Sequence, residues 1–171
     1  MWGYKGPPIT GKLPKAKFVD MANLVPKMRL VKSPVKIALI EESAKWANLA
    51  VSLLQEYTTE GAWAVEVALA ASLDTTSTMK KTLGVDFQPL RSIFPVSACF
   101  RGQIGEMSAI PHAMGTGRRI RRGDVLIAEA AVEIGGYSCE LERTMIVGKP
   151  SAKQKRYFQV MVEAQRQPSK K

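Results

Sequence analysis

Histidine is nearly absent from this 171-residue chain, cysteine is scarcely commoner, and acids are outnumbered by bases: one His, two Cys, and 15 Asp/Glu against 25 Lys/Arg. A single histidine excludes a metal site of the His-x-x-x-His type. The two distant cysteines, Cys99 and Cys139, make neither a zinc knuckle nor a disulfide framework. Both read as small buried hydrophobes in a reducing, cytoplasmic setting. No stretch approaches the ~18 continuous apolar residues of a membrane helix, and residues Met1–Pro8 lack the apolar core of a signal peptide. A P-loop and a Gly-x-Ser-x-Gly elbow are also missing.

What is present is a soluble, globular composition, 46% apolar and 23% charged, long enough for one ordinary domain. The net charge of +10 raises the question of nucleic acid. The excess of Lys and Arg sits at the two ends of the chain, and the middle is nearly neutral. The one dense run, Arg118-Arg119-Ile120-Arg121-Arg122, has no interleaved aromatic for base stacking and reads as a solvated loop.

Residues 1–32 are rich in Pro, Gly and Lys without a sustained period, which predicts an irregular lead-in with one short strand, or the remnant of an upstream domain. Ser33-Pro34 is a helix start, an N-cap followed by proline at the first helical position. Val35, Ala38, Leu39, Ala47, Ala50, Leu53 and Leu54 then recur at helical spacing to about Tyr57. Beyond Gly61 a second helix is expected, with Val65, Ala68, Leu69, Ser72, Leu73, Thr76 and Met79 on one side and a left-handed cap at Gly84. Short β runs follow at Ile93–Phe100, Val125–Glu133 and Tyr137–Val147, with Gly135-Gly136 joining the last two as a hairpin. Ser151 and Gln154 form a capping box that opens a third helix through Tyr157, Phe158, Met161 and Ala164, before Pro168-Ser169-Lys170-Lys171. Helix, helix, strand, hairpin, helix is an α+β order with an antiparallel sheet.

The hairpin carries the chemistry. A turn centred near Ile134-Gly135 makes Glu129 and Glu140 directly opposed partners on one face, with Cβ atoms ~4.5–5.5 Å apart. Glu142 lies on that same face, and Arg143 on the other. Two carboxylates so close repel unless a positive group lies between them, and a divalent ion answers that need. Spacing alone leaves a second reading open, a solvent-facing strand with scattered acids. His112, after Pro111 and ahead of the Gly123-Asp124 turn, is by its type a surface, core or proton-transfer residue.

Three blocks together resemble the pita-bread metallopeptidase superfamily of aminopeptidase P, prolidase, methionine aminopeptidase and creatinase. They are Ile110-Pro111-His112, Arg122-Gly123-Asp124-Val125-Leu126, and Gly136-Tyr137-Ser138-Cys139-Glu140-Leu141-Glu142-Arg143-Thr144. Met28–Pro34 and Ser151–Gln154 extend the likeness, which covers roughly residues 28–166. The resemblance implies a partial pita-bread fold, with residues 33–171 as the N-terminal half of a catalytic domain. It implies metal-dependent exopeptidase chemistry: a metal-activated water, with Mn, Co, Zn or Fe as the ion, attacks an N-terminal peptide bond, often one preceding proline. The full-length form would be a homodimer acting on peptides. His112 matches the substrate-side histidine, Glu129 and Glu140 the first two metal-binding acids, and Arg143 and Thr144 the pair that supports the second of them from behind.

The chain departs from this pattern in two ways. Glu stands at both positions where the family carries Asp. The remaining ligands, a histidine in a Gly-His-Gly stretch and two later glutamates, match nothing here. The expectation is a truncated and inactive enzyme domain, marginal in stability because its sheet ends in an open edge. The alternatives are a creatinase-like hydrolase or lyase of a small molecule, and a metal-free binding protein whose basic ends contact RNA or an acidic partner.

Overall fold

A computed structural model describes residues 6–19, 21–84, 86–90, 94–115 and 117–167. The chain divides into two compact units, Met1–Pro34 and Val35–Lys171. Described residues of the first unit form two short helices, α1 (Ile9–Lys12) and α2 (Leu24–Leu30), neither of which buries a residue. The short strand expected in this region is not found among them. Lys27, Met28, Arg29 and Leu30 lose little rotamer freedom in a helix and favour the helical segment α2 seen there.

The second unit begins with α3 (Pro34–Tyr57), which opens at the expected proline. It buries Ser43, Trp46, Ala47, Ala50, Val51 and Leu54, so Ala47, Ala50 and Leu54 of the expected stripe are inside while Val35 is exposed. Helix α4 (Ala64–Leu83) buries Val67, Ala71, Thr75 and Met79, a strict four-residue row. Of the side expected to be buried, Met79 is inside and Ala68, Ser72 and Thr76 are half-buried, but its large members Val65, Leu69 and Leu73 are exposed. The smaller side chains won because α4 packs closely on the sheet: Ser72 Oγ accepts the Ala98 N–H at 2.9 Å. A row of Leu and Val at that contact would hold the backbones too far apart for such a bond. Gly84 ends α4 at φ 101° and ψ 165°, an extended conformation open to glycine and not the expected left-handed helical one.

The sheet is antiparallel in the order β1-β2-β3, with β1 at Val96–Cys99, β2 at Val125–Ile134 and β3 at Tyr137–Ile146. The first strand is shorter than expected, and Ile93 of that expectation lies outside the described residues, as does the closing segment 168–171. Leu126, Ala128, Ala130 and Val132 of β2 are fully buried or nearly so. They join Ala47, Ala50, Leu54, Ala71 and Met79 in one core. A core Leu such as Leu54 contributes about 2–5 kcal/mol against Ala. Ser43 Oγ, wholly buried, lies 2.8 Å from the Leu39 carbonyl and 2.9 Å from that of Tyr137, which ties α3 to the start of β3.

Gly135 and Gly136 both have positive φ, 57° and 82°, the requirement of the two-residue turn whose twist matches the strands it joins. Ile134 therefore pairs with Tyr137, and the turn centres one residue later than expected. Glu129 faces Glu142, and Glu140 faces Ala131. This corrects the predicted pairing of Glu129 with Glu140. A pairing shifted by two residues leaves the faces unchanged, however, so all three glutamates still share one side of the sheet. Helix α5 (Ala152–Arg166) closes the described chain, opened by the expected capping box of Ser151 and Gln154.

Candidate metal centre

The face of β2 and β3 away from α3 carries Ile127, Glu129 and Ala131 on one strand and Glu140, Glu142 and Thr144 on the other. One carboxylate oxygen from each of Glu129, Glu140 and Glu142 lies within 4.8 Å of the others. Glu129 is the inner member, with only 12% of its side chain exposed, against 58% for Glu140 and 50% for Glu142. Burial pushes the Glu129 carboxyl above its ordinary value. A neighbouring guanidinium opposes that push, and the Glu140 charge adds to it.

That guanidinium belongs to Arg101, a residue sequence reasoning missed. Its Nη1 forms ion pairs with Glu129, with Glu142 at 2.8 Å and with Glu140 at 3.1 Å. Its Nη2 lies 2.6 Å from Nδ1 of His112, so the imidazole nitrogen accepts from the guanidinium. Burial works against the Arg101 charge, but the Glu129 charge and the bonds to Glu129 and Glu142 outweigh it and hold the group protonated. His112 thus meets the acids through Arg101, at the rim of an open hollow of about 420 Å³ lined by Arg101, His112, Glu140 and Glu142.

Local backbone geometry accounts for this placement. After the Cys99–Glu129 pair the chain leaves the ladder and rejoins β2 at the bridge of Ile104 with Leu126. Five steps on the β1 side thus match three on β2, an irregular bulge that swings Arg101 outward beside Glu129. Arg101 itself has φ 50°, and Gly102 follows at φ 68°. A Cβ on Gly102 would sit 2.4 Å from the Ala113 carbonyl, so only glycine lets this turn press against the segment bearing His112. The signal available in the sequence was Arg-Gly directly after a strand, opposite a hairpin face carrying three acids.

Thr144 shares the acidic face, opposite Ile127. Arg143 pairs with buried Ala128 on the other face, and its Nη1 donates to the Glu142 carbonyl at 2.7 Å. The arginine run is anchored inward. Arg118 donates twice to Asp124, at 3.1 and 3.2 Å. Arg119 stacks 4.5 Å over Trp63 and donates to the Gly61 carbonyl at 2.7 Å. Arg122 reaches Glu60 at 3.2 Å. These contacts tie Arg118, Arg119 and Arg122 to the approach to β2, while Arg119, Arg121 and Arg122 remain exposed.

The donor set suits a hard divalent cation, since it consists of carboxylate oxygens that converge on one point. The point of convergence is where Arg101 reaches.

An α3–α4 pair packed on an antiparallel sheet, with an acidic hairpin facing away, is the first part of a pita-bread fold. The model of metallopeptidase family M24 matches residues 38–170, and the chain belongs to that family. The Xaa-Pro dipeptidase of Pyrococcus horikoshii is 29% identical over 150 residues, which cover 88% of this chain and 39% of the relative. Among solved structures, prolidase from Pyrococcus furiosus superposes with a TM-score of 0.69 at 26% identity, covering 85% of this chain and 39% of its own. Xaa-Pro dipeptidase from Bacillus anthracis does so with 0.70 at 26% identity, over 88% and 39%. The chain thus spans about two fifths of the length of the relatives it matches. No helix among the described residues is long and apolar enough to cross a membrane.

Proposed function

We propose that this chain is the leading part of an exopeptidase domain acting on peptides of the Xaa-Pro class, and that by itself it engages such peptides without cleaving them. The observation that carries this reading is the convergence of Glu129, Glu140 and Glu142 beside His112 on one open face of the sheet. Family membership and the names of the relatives supply the substrate class.

A divalent ion, when bound, would be held by Glu129 and Glu140 with Glu142 in reach, and would supply an acidified water. The chain's own groups do the rest. Arg101 Nη2 lies 2.6 Å from Nδ1 and 3.2 Å from Nε2 of His112, which sets the imidazole at the rim within reach of a peptide. Three carboxylates against one guanidinium leave the hollow negative, which favours the ammonium end of a peptide. Arg143 stiffens β3 through its bond to the Glu142 carbonyl, and Thr144 flanks that glutamate on the face of the site. His112 is the chain's single histidine, so the histidine ligand and the two later glutamates implied by the resemblance have no counterpart here, and hydrolysis is not expected.

NMR of the labelled chain titrated with the dipeptide Ala-Pro tests the reading. The His112 ring and Thr144 amide resonances are expected to shift, His112→Ala to weaken the effect, and no free proline to form. Unmoved resonances, or proline released by the purified chain, would each defeat it.

A further inference from the structure

The carboxylates of Glu129, Glu140 and Glu142 need a positive partner, and one is already built in. We infer that Arg101 is the resident cation of this cluster, filling the role a divalent ion plays in such a site, so that an ion reaches the three carboxylates only when the guanidinium leaves. The inference rests on the assignment of Glu129 and Glu140 made above and adds to it a competing group in the chain itself.

Three observations carry it. First, a single nitrogen, Nη1, pairs with all three carboxylates at once, as a coordinated ion would. Second, the placement is built by the backbone: the bulge after Cys99, the positive φ of Arg101 and the close approach at Gly102 direct the side chain at Glu129. Third, its Nη2 is held by His112, so the guanidinium is anchored from both ends and is no surface arginine resting on the nearest acid. The longer reach of Glu over Asp fits the same account. A planar guanidinium is wider than a metal ion, and three Glu side chains can spread around it. A positive charge ~4 Å from an incoming divalent ion weakens its binding by about thirtyfold in water-like surroundings, and by far more at an effective dielectric of ~20.

The test is an Mn²⁺ titration of the full chain, with free ion read from its electron paramagnetic resonance signal. The wild type, R101Q and R101Q/E129Q are compared. R101Q is expected to bind one ion at least about tenfold more tightly than the wild type, and R101Q/E129Q to lose that gain. R101K, which keeps the charge, is expected to stay near the wild type. Measurable Mn²⁺ binding of equal affinity in wild type and R101Q overturns the inference. Thermal melting provides a second readout that needs no ion. R101Q should melt below the wild type and regain part of the loss with E129Q, which removes a carboxylate left uncompensated. No loss in R101Q also overturns the inference. If R101Q shows that loss and its recovery but binds no Mn²⁺, Arg101 stands as the resident cation and the metal assignment of Glu129 and Glu140 falls instead. If R101Q unfolds, added Mn²⁺ should restore its melting transition, and failure to do so counts against the inference.

Discussion

Ser72→Ala is a small deletion with a calculable cost. Ser72 Oγ accepts the backbone N–H of buried Ala98 at 2.9 Å and donates to the Ala68 carbonyl at 2.8 Å, so α4 satisfies the outer edge of β1. Alanine leaves that N–H without an acceptor, a loss of about 1–3 kcal/mol. The better helix propensity of Ala returns roughly 0.5 kcal/mol. The net expectation is a destabilisation of about 1–2 kcal/mol, a change of about 5- to 30-fold in the folding equilibrium and a drop in Tm of roughly 2–8 °C for a chain of this size. Urea unfolding followed by circular dichroism should show a lower midpoint at unchanged m value, and hydrogen exchange should speed up at the Ala98 amide. Ser52→Ala is the control, because Ser52 is exposed and its hydroxyl donates within α3, to the Asn48 carbonyl. It should stay within about 0.5 kcal/mol of the wild type. If Ser72→Ala behaves like Ser52→Ala and the Ala98 amide keeps its protection, the account of how α4 holds β1 is wrong.

Other expectations are as direct. At the hairpin turn, Gly135→Asn should cost under about 0.5 kcal/mol, whereas Gly136→Val forces a β-branched residue to positive φ and should cost about 1–2 kcal/mol or more; both are read by thermal melting. Asp124→Asn weakens the pair with Arg118 and the bond from the Arg121 N–H, and should lower stability by roughly 1.5–3 kcal/mol in denaturant. Burial raises the Cys99 thiol above its ordinary value, helped by Glu129 and Glu140 and opposed by the Arg101 amide and charge. The native state therefore keeps this proton longer than the unfolded chain, so its contribution to stability is full below the usual thiol range and is lost as pH climbs past ~8.5. In a Cys139→Ser background, Cys99 should react with a disulfide reagent at pH 8 more slowly when folded than in urea; equal rates would refute this.

Much of this architecture is legible in the sequence because its signals are local. Ser33-Pro34, Gly135-Gly136 and the Ser151–Gln154 box each fix a start or a turn through their own backbone chemistry; the two helix starts lie where expected and the hairpin turn centres one residue later. The face shared by Glu129, Glu140 and Glu142 was also readable, since parity survives an error of two residues in register. The buried face of α4 was readable only in part, because it is set by how closely the helix approaches β1 and not by where its largest apolar residues fall. Arg101 was hidden for a related reason. Its role depends on a bulge that exists only once residues 99 and 104 are both paired to β2, and no period in the sequence announces an irregularity.

Loop lengths around the bulge predict an order for the folding of this domain. The hairpin brings Glu129 and Glu142 together across a two-residue turn and can form early, because its contacts are local. The strand that precedes Arg101 joins it only after the longer excursion through residues 100–124 has closed. Until then the acids face each other with no cation between them. The nascent hairpin therefore carries an electrostatic penalty that the native state does not, and the arrival of the first strand is rewarded by charge as well as by burial. Mild acid or added salt should speed the early pairing while weakening the final docking. The last strand to arrive is thus the one that brings the positive charge the site requires.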